Sequence, residues 1–229
     1  MTSIPYRNAL IVGAGPGISA SLARHLRAAG LQVAVAARDV GKLAPLVQET
    51  GAVALPVDAA DAAQVARLFA EVDARIGAPE VVIYNASSRL RGPLAELDPA
   101  GVAQVVAVTA LGAFHVVQQA ARRMGAAGQG AILLTGATAG VKGFALSAPF
   151  AMGKFALRGL AQSAARELGP KGIHVVHFNI DGRVGARGAD PQDGVLDPDA
   201  IAQAYASVLA QPRSAWTHEI DLRPWSESF

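Results

Sequence analysis

Short apolar runs alternate along the whole chain with longer segments in which apolar positions recur at a helical period. The apolar runs predict strands at residues 8–12, 31–37, 52–57, 80–84, 130–134, 172–178 and 219–222. The longer segments predict helices at residues 17–29, 40–49, 61–76, 99–124, 148–168 and 200–209. Strands and helices therefore follow one another in regular alternation.

The runs predicted as strands are apolar throughout rather than alternately polar, which is typical of strands buried on both faces. Strands that alternate with helices form a parallel sheet covered by those helices. We therefore predict an α/β fold of Rossmann type, a doubly wound parallel sheet of about seven strands with helices on both faces. The 229 residues fit a single domain, 1–229, and a sheet of this kind binds ligands at the carboxyl ends of its strands.

Composition excludes several classes of site. The chain contains no cysteine, so it has neither a disulfide framework nor a thiolate nucleophile. The formal net charge is +2 and the arginines are scattered, so no nucleic-acid partner is expected. His174 and His177 are expected on one face of the sixth strand, but no third ligand accompanies them, and no metal site is predicted.

The apolar stretches indicate where the protein resides. All of them have the length of a strand, and none approaches the roughly 20 residues that a membrane-spanning helix needs. The first residues lack the charged and then apolar layout of a signal peptide. We therefore expect a cytoplasmic protein without a membrane partner.

A glycine-rich turn follows the first predicted strand and opens the first helix. Gly13, Gly15 and Gly17 allow a tight turn and bring backbone N–H groups, with that of Ile18, close to a pyrophosphate. Glycines also serve plain turns between a strand and a helix. The position of this turn, directly between the first strand and a helix, favours dinucleotide binding.

The end of the second strand bears on which dinucleotide is bound. A protein selective for NAD usually has an acidic residue there for the ribose 2′-OH, whereas NADP needs a cation for its 2′-phosphate. Arg38 offers a planar fork of donors suited to a phosphate. Asp39 follows it and would either hold a ribose or cap the next helix, and a solvated Arg38 is the plain alternative. The pair favours NADP(H) over NAD(H).

Two further loops fit the same site. Asp58, after the third strand, places an acceptor where an adenine amino group would lie. Asn85, in a turn of small residues after the fourth strand, would line the same crevice. Either loop alone is compatible with an ordinary connection.

Taken together, these features resemble the short-chain dehydrogenase/reductase family over essentially the whole chain. The resemblance rests on the turn at 13–19, on Arg38, Asp39, Asp58 and Asn85, and on residues 106–114, 132–140, 150–154 and 166–173. It implies a nicotinamide dinucleotide as cofactor and a small-molecule substrate, here unknown. It also implies a homodimer or homotetramer formed through the helices at 99–124 and 148–168.

The sequence departs from the family pattern at its reaction centre. The family uses an Asn in the fourth helix, a Ser after the fifth strand, and a Tyr and a Lys separated by three residues. By motif, Thr109, Ala137 and Phe150 stand at the first three of these positions, and only Lys154 is retained. Ser19 also replaces the third glycine of the turn. An atypical branch of the family has this appearance, with Phe in place of the catalytic Tyr.

These departures bear on the chemistry. Phe150 cannot exchange a proton and Ala137 cannot donate a hydrogen bond, so ordinary carbonyl reduction is expected to be weak or absent. Thr138 and Ser147 lie close in sequence to the lost groups, but their hydroxyls are poor acids without an activating partner. Lys154 alone could still hold the nicotinamide ribose.

After the sixth strand, the family has a Pro-Gly pair followed by a residue that hydrogen-bonds the carboxamide. Val184 is the candidate for that backbone contact. Asp181 replaces the proline, either as a functional charge or as a cap for the next loop. Three hypotheses follow: an NADP(H)-binding protein with a degenerate catalytic set, an active oxidoreductase with a non-standard proton donor, or a structural partner in a hetero-oligomer.

Overall fold

The computed structural model describes residues 4–190 and 192–227. Seven strands, β1 to β7, span Asn8–Val12, Gln32–Ala37, Val53–Pro56, Val81–Tyr84, Gly130–Thr135, Ile173–Ile180 and Glu219–Leu222. Seven α-helices, α1 to α7, span Ile18–Ala28, Ala44–Thr50, Ala62–Ile76, Pro99–Val106, Gly112–Ala127, Ala148–Leu168 and Pro198–Leu209. Each strand and helix predicted from the sequence has a counterpart, and about half of the bounds coincide while nearly all the others shift by one to three residues.

The strands form one parallel sheet in the order β3-β2-β1-β4-β5-β6-β7. Two apolar cores cover its two faces, one built with α3, α5 and α6 and the other with α1, α2 and α7. The predicted doubly wound sheet with helices on both faces is thus confirmed. The strand order reverses between β1 and β4, and this switch point is where ligands of such sheets bind.

The helix predicted at 40–49 consists of two parts. Val40–Leu43 is a 3-10 turn, and the α-helix follows at Ala44–Thr50. The Asp39 carboxylate caps the turn by accepting a hydrogen bond from the Gly41 N–H at 3.1 Å. The glycine in this first turn weakens a regular helix, which accounts for the tighter start.

The helix predicted at 99–124 is interrupted. A π-helical turn, Ala107–Leu111, separates α4 from α5. The buried Tyr84 hydroxyl donates a hydrogen bond to the Val108 carbonyl inside this turn. π-helical insertions are frequent at functional sites, and this one carries Thr109.

One correction concerns the expectation that no apolar segment is long enough to cross a membrane. The continuous helical stretch Pro99–Ala127 passes that test by length and composition, with a mean hydropathy of 1.8. Gly, Thr and His divide this segment into short apolar runs, although a helix tolerates all three. Part of the stretch is buried in the core through Ala113, Val116 and Met124.

A second correction concerns the two histidines of β6. Residues three apart in a strand point to opposite faces, so the prediction of a shared face for His174 and His177 is wrong. His174 binds the Thr217 carbonyl and stacks on Trp216, whereas His177 binds the Glu219 carboxylate. Within residues 4–190 and 192–227, no group of three potential ligands lies close enough to hold a metal ion.

Candidate functional site

The glycine turn lies where β1 ends at the switch point. Gly13 has a positive φ of 89°, and a side chain there would overlap the Ala86 backbone after β4. The N–H groups of Gly13 and Ala14 both donate to the Ala36 carbonyl at 2.9 Å, which fixes the turn against β2. Gly15 and Gly17 face open space, so the turn leaves room for a group to approach its backbone.

Ser19 stabilises this turn from below. Its buried hydroxyl donates to the Gly13 carbonyl at 3.0 Å and accepts from the Asn85 side-chain amide at 2.7 Å. The residue that departs from the family's glycine pattern therefore connects the turn to the loop after β4. Its small side chain leaves the cavity beside the turn open.

A cavity of about 370 Å³ extends from the glycine turn toward the ends of β2 and β3. Of the predicted cofactor residues, Gly13, Gly15, Arg38, Asp58 and Asn85 all line it. Its lining residues come from the ends of β1, β2, β3 and β4.

The charges at the far end of this cavity come from the turn after β2. Arg38 is exposed there, and Lys42 lines the same wall. The Asp39 carboxylate caps Gly41 and lies 3.5 Å from the Lys42 ammonium. Sequence reasoning missed Lys42, and its spacing of four from Arg38 was the available signal. This turn thus carries two cations, Arg38 and Lys42, and one carboxylate, Asp39, which already interacts with Gly41 and Lys42.

A second cavity of about 310 Å³ lies on the other side of the glycine turn. Gly17, Ile18 and Val184 line it, and it shares Gly13 and Asn85 with the first cavity. The two cavities therefore lie side by side at the carboxyl ends of the strands. Together we call them the dinucleotide groove, which contains every predicted cofactor residue except Lys154.

Val184 enters the groove through its backbone. It forms an isolated bridge with Leu196, in which the Leu196 N–H donates to the Arg183 carbonyl and the Gly185 N–H donates to the Leu196 carbonyl, both at 2.9 Å. The bridge does not use the N–H and carbonyl of Val184 itself. These groups can therefore serve a ligand, as the sequence predicts.

Lys154 lies under the groove rather than in its wall. The side chain is buried, and its ammonium donates to the Thr135 carbonyl at 2.7 Å. Burial, and then the positive charge of Arg89, lower the pKa of Lys154 to about 7. A buried amine with a pKa near neutrality can exchange a proton at physiological pH.

Phe150 lies one helical turn before Lys154 on α6. Its ring is 8% exposed, and the Lys154 Nζ is 5.9 Å from the ring centroid. The guanidinium carbon of Arg89 lies over the same ring at 4.3 Å. Where the family has a phenol, this chain thus has an apolar ring between two cations.

Thr109 and Ala137 complete this region. The Thr109 hydroxyl accepts a hydrogen bond from the Ser88 N–H at 3.2 Å, and its side chain packs on Gly153 of α6. Ala137 is the second residue after β5 and has only a methyl group as its side chain. Among the residues that the structure describes, the Thr138 and Ser147 hydroxyls make no hydrogen bond, so neither has an activating partner.

Asp181 does not cap the next loop, which was one of the two alternatives predicted for it. Its buried carboxylate forms an ion pair with Arg223 at 2.7 Å. The pair links the end of β6 to the residue that follows β7. The charge at this position is therefore compensated within the protein and does not cap the loop.

Known proteins share this architecture. The family model for short chain dehydrogenases matches residues 7–181. L-2,3-butanediol dehydrogenase of Corynebacterium glutamicum is 31% identical over 186 residues, covering 77% of this chain and 71% of that protein.

Two solved structures extend the similarity to nearly the full chain. A short-chain dehydrogenase from Rhodopseudomonas palustris is 36% identical, with a TM-score of 0.84, and covers 96% of this chain and 99% of its own. A metagenomic short-chain oxidoreductase in complex with NADP is 28% identical, with a TM-score of 0.85. The match covers 98% of this chain and 100% of the other. The protein therefore belongs to the short-chain dehydrogenase/reductase family.

Proposed function

We propose that this protein binds NADP(H) in the dinucleotide groove, carries an incomplete catalytic set, and has weak or no standard carbonyl reductase activity. The observation that carries the proposal is the pairing of a complete groove with an apolar reaction centre. Phe150 and Ala137 offer no hydroxyl where the family holds the substrate oxygen, while Lys154 is retained. The chain thus represents an atypical branch of the family.

The groove suits the cofactor in each of its parts. The glycine turn and the start of α1 would hold the pyrophosphate, Asp58 the adenine, and the Val184 backbone the carboxamide. Arg38 and Lys42 would hold a 2′-phosphate, which favours NADP(H) over NAD(H). When bound, the nicotinamide supplies a hydride. This chain's residues position it, and Lys154 would hold its ribose.

The preference for NADP(H) is tested by Arg38→Ala. Loss of a charge-assisted contact to the 2′-phosphate should weaken NADPH binding by roughly 10-fold or more while NADH binding changes little. Fluorescence titration of both dinucleotides measures this difference, and Arg75→Ala, an exposed arginine on α3, is the matched control. Equal losses for both dinucleotides would contradict the assignment of Arg38.

The incomplete catalytic set is tested by restoring it with Ala137→Ser and Phe150→Tyr together. A tyrosine beside Lys154 would regain a proton donor worth about 10²–10⁴-fold. We therefore expect NADPH-dependent reduction of ketones or aldehydes to appear in the double variant. Adding Lys154→Met should abolish it. Wild-type turnover of such substrates at ordinary enzyme rates would refute the proposal.

A second candidate is an active NADPH-dependent oxidoreductase with a non-standard proton donor, and the lowered pKa of Lys154 favours it. A protonated amine with a pKa of about 7 can give its proton to a substrate oxygen and become neutral. This candidate predicts wild-type turnover of some ketone, enone or alcohol, with a rate that changes near pH 7 and is lost in Lys154→Met. Absence of turnover across the panel favours the first proposal.

The remaining properties follow from the resemblance. We propose a cytoplasmic homodimer or homotetramer that acts with a small-molecule substrate and without a nucleic-acid or membrane partner. Four apolar side chains, each about half exposed, support assembly through α5 and α6 and the turn before α5: Leu111, Phe114, Met152 and Phe155. A purely structural role in a hetero-oligomer would require that neither dinucleotide binds.

A further inference from the structure

Arg89 lies beside Phe150, in the loop after β4. The loop is held in place on both sides of this residue. The Ser88 N–H donates to the Thr109 hydroxyl at 3.2 Å, and the Gly92 N–H donates to the Leu146 carbonyl at 3.1 Å. These bonds fix the loop between the π-helical turn and the segment after β5, next to the reaction centre.

The guanidinium of Arg89 is stacked but otherwise unused. Its central carbon lies 4.3 Å from the centroid of the Phe150 ring. It makes no ion pair and no hydrogen bond to any residue of 4–190 or 192–227. A guanidinium that lies over an aromatic ring can still donate its N–H groups to a ligand. Arg89 is exposed, so these donors are accessible beside Phe150.

The charge around Phe150 is positive. The Lys154 ammonium lies 5.9 Å from the same centroid, and within residues 4–190 and 192–227 it hydrogen-bonds only to a neutral carbonyl. Two cations thus share one aromatic ring, and neither forms an ion pair within the described residues. An anion at this place would be attracted by the permanently charged Arg89, and by Lys154 while the amine is protonated, and a planar carboxylate would match the guanidinium fork.

The altered reaction centre makes such a contact useful. Phe150 and Ala137 cannot hold the oxygen of a substrate, so orientation must come from another group. We propose that Arg89 binds the carboxylate of a small anionic ligand above Phe150, and that the substrate class of this site is a carboxylate-bearing compound. This inference rests on the proposed function, because it places the ligand beside the cofactor groove.

The test compares benzoate with benzamide, which have nearly the same shape and differ in charge. Binding to the NADP-loaded protein is measured calorimetrically at constant ionic strength. We expect benzoate to bind wild type at least tenfold more tightly than benzamide, and Arg89→Gln to reduce this ratio to near one. Arg89→Lys should retain part of the preference, because it keeps the charge and loses the fork.

Arg91→Gln is the matched control, an exposed arginine of the same loop with no contact to the Phe150 ring. It should leave the ratio unchanged. Equal binding of both compounds by wild type, binding of neither, or a preference that survives Arg89→Gln would each overturn the proposal. A preference lost equally in Arg91→Gln would also overturn it, because the effect would then come from general surface charge.

The affinity for NADPH separates this inference from the proposed function. Arg89→Gln should leave NADPH binding within about twofold of wild type, because Arg89 lines neither cavity of the groove. If wild type binds no dinucleotide, the proposed function fails, and the benzoate comparison on the apo protein still decides the role of Arg89.

Discussion

Lys154 carries a buried positive charge that the apo protein does not neutralise. The 3% exposure of this residue and its single neutral acceptor mean that its ammonium has lost most of its hydration. Such a group lowers its pKa because the charged form is disfavoured. A depressed pKa is also a statement about stability, because the unfolded chain binds the proton more tightly.

The stability of the apo protein should therefore rise with pH above about 7. The folded amine loses its proton near pH 7, whereas the unfolded amine keeps it up to a pKa near 10.5, so protons favour unfolding throughout this window. Between pH 7 and pH 9, wild type should gain roughly 2 kcal/mol of unfolding free energy relative to Lys154→Met. Urea denaturation at both pH values measures the gain.

Lys142→Met is the control for general effects of pH, since Lys142 is an exposed lysine in the segment after β5. It should follow wild type at both pH values. If the free energy of unfolding changed equally with pH in wild type and Lys154→Met, the amine would not be buried in solution as it is in the structure.

Single residues differ in how far the sequence could predict them. The glycines of the turn were predictable because their spacing and their position after a strand have a direct backbone meaning. The hydrogen bond from the Asn85 amide to the Ser19 hydroxyl was not predictable, because the two residues are 66 positions apart in the sequence. The stacking of Arg89 on Phe150 depends in the same way on two loops that only the fold brings together.

At the scale of elements, the interruption between α4 and α5 was beyond sequence reasoning. The π-helical turn accommodates the hydrogen bond from Tyr84, a contact across 24 residues that leaves no local pattern. The apolar period of the helix continues through it. The sequence therefore predicts one continuous α-helix, whereas the structure has a π-helical turn at Thr109.

The packing of α6 on this turn is tested by Gly153→Ala. A Cβ at Gly153 would lie 2.8 Å from the Thr109 Cβ, and Thr109 is fully buried. The clash should lower the free energy of unfolding by about 1–3 kcal/mol, partly offset by the better helix propensity of alanine. Thermal or urea unfolding measures the change.

The same helix offers a matched control in Gly159→Ala. A Cβ there meets nothing within 4 Å, so only propensity acts and stability should rise by up to about 1 kcal/mol. A lower free energy of unfolding in Gly153→Ala and a higher one in Gly159→Ala would support close packing at Thr109. Equal effects would mean that α6 stands farther from the π-helical turn than described.

At the scale of the whole molecule, the sheet and its two helical layers were predictable, since fully apolar strands and a β-α alternation leave few other arrangements. The predicted cofactor residues converged because carboxyl ends of parallel strands meet at one edge. Lys154 is the one predicted cofactor residue that does not line the groove, since its distance from the groove depends on how closely α6 packs against the sheet.

Assembly is the property of the whole molecule that we expect to depend on α6. Met152→Glu with Phe155→Glu would place two charges among apolar side chains that are 55% and 46% exposed. We expect the dimer or tetramer to dissociate, because burying each apolar group contributes about 1.5–3 kcal/mol. Sedimentation velocity measures this, with Leu94→Glu as the control at a 78% exposed apolar site. A wild-type monomer would refute the proposal.

The strand order also has a kinetic consequence. β1 pairs with β4 through contacts such as Leu10↔Val82, although the chain first forms β2 and β3, which lie on the other side of β1. Parallel pairings at such sequence separations are slow to form, because each closes a long loop before it gains any contact. Until β1 and β4 pair, each of them has an unpaired apolar edge, which exposes the folding chain to aggregation. The yield of refolded protein should therefore fall as the protein concentration rises, even under conditions in which the native protein is stable.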